Sequence, residues 1–144
     1  MAGRVVSVER TIRASPQAIF DVLADPSRHP EIDGSGTVRA NRPGSPERLA
    51  LGSTFGMDMR YGVPYRITNT VVEFEEGRLI AWRHFGGHIW RYRLEPVNGG
   101  TKVTEEFDYR LALSPRAIEL MGYPRRHGPE MERTLERLSD AVTT

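Results

Sequence analysis

The stretch WRYRLEPVNGGTKVTEEFDY (90–109) reads as two strands folded back on each other. Trp90, Tyr92 and Leu94 alternate with Arg91, Arg93 and Glu95, and Val103, Glu105, Phe107 and Tyr109 alternate with Lys102, Thr104, Glu106 and Asp108. Period-two alternation puts one set on each face of a pleated strand. Asn98-Gly99-Gly100 between them supplies the residues a tight hairpin needs. One face of this hairpin is therefore apolar, with Glu105 as the exception.

From this hairpin the pattern extends backwards through the preceding turns. In a hairpin with an even-numbered loop, opposed residues share a face, so the inward set passes from strand to strand. Gly86-Gly87 joins His88, Trp90, Tyr92 and Leu94 to Leu79, Ala81, Arg83 and Phe85. Glu76-Gly77 joins these to Arg66, Thr68, Thr70, Val72 and Phe74. A turn at Gly62-Val63 or Val63-Pro64 leads to GSTFGMDMRYG (52–62), where Phe55, Met57, Met59 and Tyr61 share a face. Strand 65–75 is ambiguous, because its other face holds Tyr65, Ile67 and Val71 and a bulge there would reverse the parity.

The flanks are helical. RVVSVERTI (4–12) is a further strand, and Ser15-Pro16 and Asp25-Pro26 each start a short helix, the second ending before Gly34. A short strand is expected around Thr37–Ala40, inside a loose region from Gly34 to Ser53. Two proline-started helices, from Ser114-Pro115 and from Gly128-Pro129, close the chain. The last carries Met131, Leu135, Leu138 and Val142 at helical spacing, an amphipathic stripe able to cover the apolar sheet face. The expected class is α+β, a single domain over residues 1–144.

Composition removes several functions. With 20 Lys+Arg against 19 Asp+Glu, the net charge of +1 argues against a nucleic-acid binder. Arg125-Arg126 and the alternating Arg91 and Arg93 read as solvated surface among acidic neighbours. No cysteine is present, so disulfides and thiolate metal sites are excluded. The longest apolar run, Leu79-Ile80-Ala81-Trp82, is too short for membrane insertion, and a soluble cytoplasmic protein is expected. The histidines are His29, His84, His88 and His127, and HFGGH has a metal-like spacing. Its glycines make it a turn, with His84 and His88 expected on opposite faces, so no metal is expected.

The apolar face is unusual in composition. Val, Ile and Leu pack a tight core, whereas thioethers, aromatics and scattered polar groups suit an adaptable pocket. The expected lining is Phe55, Met57, Met59 and Tyr61; Arg66, Thr68, Thr70 and Val72; Phe85, Trp90 and Tyr92; Phe107 and Tyr109; and Met131 and Leu135 from the helix. For proton transfer beside a carbonyl, Glu105 and His88 are the candidate bases, with Arg83, Arg66, Tyr92 and Tyr109 as donors. Alternatively, Arg83 and Glu105 simply neutralise each other, and Met57 and Met59 fill gaps in a solid core.

Strand, two short helices, antiparallel strands and a long terminal helix is the order of the helix-grip fold, a curved sheet wrapped around that helix. RTIRASPQAIFDVLADPSRHPEIDGS (10–35) resembles the N-terminal signature of the START-like (SRPBCC) superfamily, in its polyketide cyclase/dehydratase-like branch. WRYRLEPVNGGTKVTEEFDY (90–109) is similar to that branch's hairpin, and GYPRRHGPEMERTLERL (122–138) to its closing helix. The resemblance implies a cavity between sheet and helix for a small hydrophobic ligand, aromatic, polyketide-like or lipid-like, with no cofactor. It leaves three roles open: a cyclase or dehydratase, a non-catalytic carrier or sensor, and an interaction module using the outer sheet face. The protein is expected to be a monomer or homodimer.

Overall fold

Short loops force successive strands to pair antiparallel, and the alternating stretches do so across one sheet. The computed structural model describes residues 4–35, 38–41, 44, 46–61, 63–84, 87–112, 114–120 and 122–143. Its strands are β1 (Val5–Ile12), β2 (Val38–Asn41), β3 (Thr54–Tyr61), β4 (Val63–Glu75), β5 (Leu79–His84), β6 (Ile89–Val97) and β7 (Gly100–Asp108). They lie in the order β1-β7-β6-β5-β4-β3-β2, so the first strand pairs with the last. Helices α1 (Pro16–Leu23) and α2 (His29–Ile32) follow β1, and α3 (Pro115–Leu120) and α4 (Tyr123–Thr143) follow β7.

Local chemistry accounts for the helix starts. Ser15 Oγ accepts from the Ala18 N–H at 3.1 Å, and Asp25 Oδ1 accepts from the Ser27 N–H at 3.0 Å, each with proline next in sequence. The closing helix departs from expectation. It begins at Tyr123, and Pro129 lies inside it. Proline there forgoes one backbone hydrogen bond, while Met131, Leu135 and Leu138 beyond it are fully buried, and their burial holds the helix in place.

Face assignment differs from the even-loop expectation in the middle of the sheet. Tyr61 pairs with Val63, leaving one residue between β3 and β4. Paired residues share a face. Met57 therefore lies beside Ile67 and Phe55 beside Asn69, whereas Arg66 pairs with Asp58, Thr68 with Gly56 and Thr70 with Thr54 on the outer face. A bulge between Val71 and Glu73 inverts the parity again and returns Phe74 to the inner side, its ring 5.4 Å from that of Phe20. Glu75 pairs with Leu79 around three residues, with Gly77 at φ 75°. Consequently Ile80, Trp82 and His84 face inward, and Leu79, Ala81 and Arg83 outward. The His84 N–H bonds the His88 carbonyl at 3.0 Å around residues 85–87, a third odd loop that restores the expected faces of β6 and β7. Val97 pairs with Gly100, as the two-residue hairpin requires.

The outer face is pinned by a buried cation. Arg91, expected in solvent, is only 6% exposed. It donates to Glu73 at 2.7 and 2.9 Å, to Glu106 at 3.0 Å and to Asp108 at 3.2 Å, tying β4, β6 and β7 together. Asp108 also accepts from Arg110 at 2.6 Å, and chiefly this bond holds its carboxyl down at about 2.

Candidate functional site

Coverage of the inner face is uneven along the strands. At one end Val71, Ile80, Leu94 and Val103 pack under Ile19, Phe20 and Leu23 of α1, all buried. At the other end Met59 and Ile67 on β3–β4, and His84, His88 and Trp90 on β5–β6, stay partly exposed although they face inward. His127 of α4 closes part of this end. Its ring lies 4.5 Å from Phe107 and 5.2 Å from Trp90, and Trp90 and Phe107 are 4.7 Å apart. This less covered end is lined by aromatic rings and a thioether.

His84 and His88, expected on opposite faces, stack at 4.7 Å with ring planes 14° apart, because the loop between them is odd. His88 also lies 5.3 Å from Phe107. Burial, and then the nearby His84 and His127, push His88 down to about 4. Burial likewise lowers His84. Charge is thus disfavoured on both rings at neutral pH. Among the described residues, no group of three His, Asp or Glu side chains is placed to hold a metal ion.

Deeper in, a line of polar groups threads the aromatic interior. His29 is buried and stacks on Trp82 at 4.9 Å. Trp82 lies 5.6 Å from Tyr92, and the Tyr92 hydroxyl donates to Glu105 Oε2 at 3.1 Å. Direct pairing of Tyr92 with Glu105 follows from the β6–β7 hairpin. Glu105 is 2% exposed, and its Oε1 has no hydrogen-bond partner among the described residues. Burial pushes this carboxyl well above the usual range; the Tyr92 bond opposes the shift and the Asp33 charge adds to it. Burial therefore favours the protonated acid over the carboxylate that a base requires. His29 Nε2 lies 2.8 Å from the Leu23 carbonyl and donates to it, so Nδ1 carries the lone pair. Sequence patterning missed His29, since no periodicity marks a ring in so short a helix.

Other expected site residues lie elsewhere. Arg66, Thr68, Thr70, Val72 and Arg83 are on the outer face, the consequence of the odd β3–β4 and β4–β5 loops, so Arg83 and Glu105 do not meet. Thr68, Thr70, Val72 and Arg83 instead line an outer depression of about 550 Å³ with Ile89 and Leu111. A second depression, about 380 Å³, runs between β1 and α4 and is lined mostly by charged side chains, Glu9 and Arg133 among them. Glu105 lines neither. The Tyr109 hydroxyl donates to Glu119 of α3 at 3.0 Å. Phe55, Met57 and Leu135 belong to the packed core, and Met131 packs with Phe107 and Tyr109. Phe85 and the Tyr61 side chain lie outside the described residues. Trp82, on a strand face expected to look outward, is interior.

Residues 4–143 match the family described as "Polyketide cyclase / dehydrase and lipid transport". The uncharacterized protein Rv0088 of Mycobacterium tuberculosis (strain ATCC 25618 / H37Rv) is 40% identical over 141 residues, which cover 92% of this chain and 62% of that protein. The chain thus spans less than two thirds of the curated relatives it matches. Protein CV1439 from Chromobacterium violaceum superposes with a TM-score of 0.76 at 18% identity, covering 97% of this chain and 98% of that one. The Aha1 dimer from Colwellia psychrerythraea gives 0.69 at 16% identity, covering 96% and 95%. At these identities the solved structures show a shared helix-grip-like fold. Among the described residues, no helix is long and apolar enough to cross a membrane.

Proposed function

Because the chain belongs to the polyketide cyclase / dehydrase and lipid transport family, we propose that it binds a small, mostly apolar ligand that enters at the less covered end of the sheet. The ligand fits best as a ring-bearing, polyketide-like molecule. The uneven cover carries this reading: Met59, Ile67 and Trp90 face inward yet keep contact with solvent. A folding chain gains by covering such surface. Left partly uncovered beside flat rings, it suits a guest that covers it on binding.

Carriage is favoured over catalysis by the state of the acid–base groups. A base beside a carbonyl works best with a pKa near the operating pH. His88, at about 4, is too weak a base, and burial shifts Glu105 towards its protonated form. The Tyr92–Glu105 pair can still donate a hydrogen bond to a ligand oxygen, which anchors a carbonyl without turning it over.

Native mass spectrometry of the purified protein tests the proposal, with titration of the neutral dye Nile red. One saturable dye site per chain is expected. Met59→Trp should weaken it at least about tenfold, the effect of filling a pocket wall, while cooperative unfolding is preserved. Adduct-free spectra together with no saturable dye binding would sink the proposal.

A further inference from the structure

Tyr92 and Glu105 form a buried pair joined by a single hydrogen bond, fewer than the donors it holds when the carboxyl is neutral. Glu105 is 2% exposed, and among the described residues its carboxyl takes part in one hydrogen bond, accepted from the Tyr92 hydroxyl at 3.1 Å. A neutral carboxyl carries one O–H and a tyrosine carries another. One hydrogen bond joins them, so one donor hydrogen remains without an acceptor wherever the carboxyl proton sits. With Tyr92 donating to Oε2, that hydrogen is on Oε1, the buried oxygen with no partner among the described residues. Native interiors rarely leave such a group unmet, and a guest can meet it.

The surrounding charge limits what that guest can be. Arg66 and Arg83, the cations that would have neutralised an anion here, lie on the outer face. Among the described residues, the charged group bearing on both Tyr92 and Glu105 is Asp33, which is negative. Asp33 is itself held by the Ser35 hydroxyl at 2.8 Å and the Val38 N–H at 3.0 Å. Around the pair lie Val8, Trp82, Val103 and Phe107. An anion buried there would lose its hydration and find no counter-ion among the described residues, a loss that one donor does not repay.

We infer that the interior site selects neutral ligands presenting a carbonyl-type oxygen to Glu105 Oε1 and rejects carboxylates of the same shape. The inference rests on the proposed interior site and adds its selectivity. Three isosteric probes separate the two claims by isothermal titration calorimetry at neutral pH: 2-acetylnaphthalene, 2-ethylnaphthalene and 2-naphthoate.

The ketone should bind about tenfold tighter than the ethyl compound, the worth of one buried hydrogen bond, and tighter still than the carboxylate. Glu105→Gln, which keeps a donor, should retain the preference for the ketone. Glu105→Leu should abolish that preference while the ethyl compound still binds. Equal affinities of the wild type for ketone and ethyl compound, or a carboxylate that binds as well as the ketone, would overturn the selectivity and leave the interior site standing. Binding of none of the three would overturn both. The wild-type comparison alone decides the matter if either variant fails to fold.

Discussion

A carboxyl buried without a cation keeps its proton to high pH, and for Glu105 this makes stability depend on pH. Its unfolded counterpart ionises near 4.5, while the folded group stays protonated well above that value. Over that window the folded state holds a proton the unfolded state has lost, so stability is full below the unfolded value and falls as pH rises. Glu105→Gln removes this dependence. Its stability relative to wild type should climb as pH rises above about 4.5, as read by urea unfolding, and a constant difference would mean the folded carboxyl titrates normally. The alternation of residues 101–109 was enough to place Glu105 on the apolar face. Its partner was not legible there, because the choice between Arg83 and Tyr92 depends on loops remote from it in sequence.

Those loops act at the scale of elements. Glycine marks where a strand turns, but the number of residues enclosed decides which side chains point inward, and a shift of one inverts a whole strand. Gly62, Gly77 and Gly86-Gly87 were all recognisable as turns, yet each encloses an odd number, and β4 adds a bulge at Val72. The inversions cancel by β6, so the final hairpin was read correctly although β4 and β5 were largely reversed. The bulge also places Glu73 against Arg91. Arg91→Ala would leave Glu73 without its cation, with only Arg93 for Glu106 and Arg110 for Asp108, and should cost about 3 kcal/mol in chemical denaturation at neutral pH. Because the Arg91 bond holds the Glu73 carboxyl below its ordinary 4.5, that share is present above about pH 4.5 and lost as pH falls towards the lowered folded value. Between those limits the variant's deficit should shrink.

On the scale of the whole molecule, α4 is attached to the loop after α2 by contacts that leave no room. A Cβ on Gly34 would stand 2.3 Å from the Glu130 carbonyl oxygen and 2.6 Å from the Thr134 nitrogen. The Gly34 N–H donates to Thr134 Oγ1 at 2.8 Å, and Arg133 donates to the Gly34 carbonyl at 3.1 Å. Gly34→Ala should therefore push the helix away and destabilise the fold by about 2 kcal/mol or more, with a lowered Tm as the readout; an unchanged Tm would show that the helix can shift at no cost. The order of elements and the covering stripe of α4 were legible from spacing. The uneven cover was not, because it depends on where the helix lies and not on which residues it offers. The pairing of β1 with β7 carries its own consequence for biosynthesis. Of the strands described, the one that leaves the ribosome first must wait beside the tunnel exit until the last has been translated. Until then the nascent sheet has a bare margin, and chaperones have that interval in which to shield it.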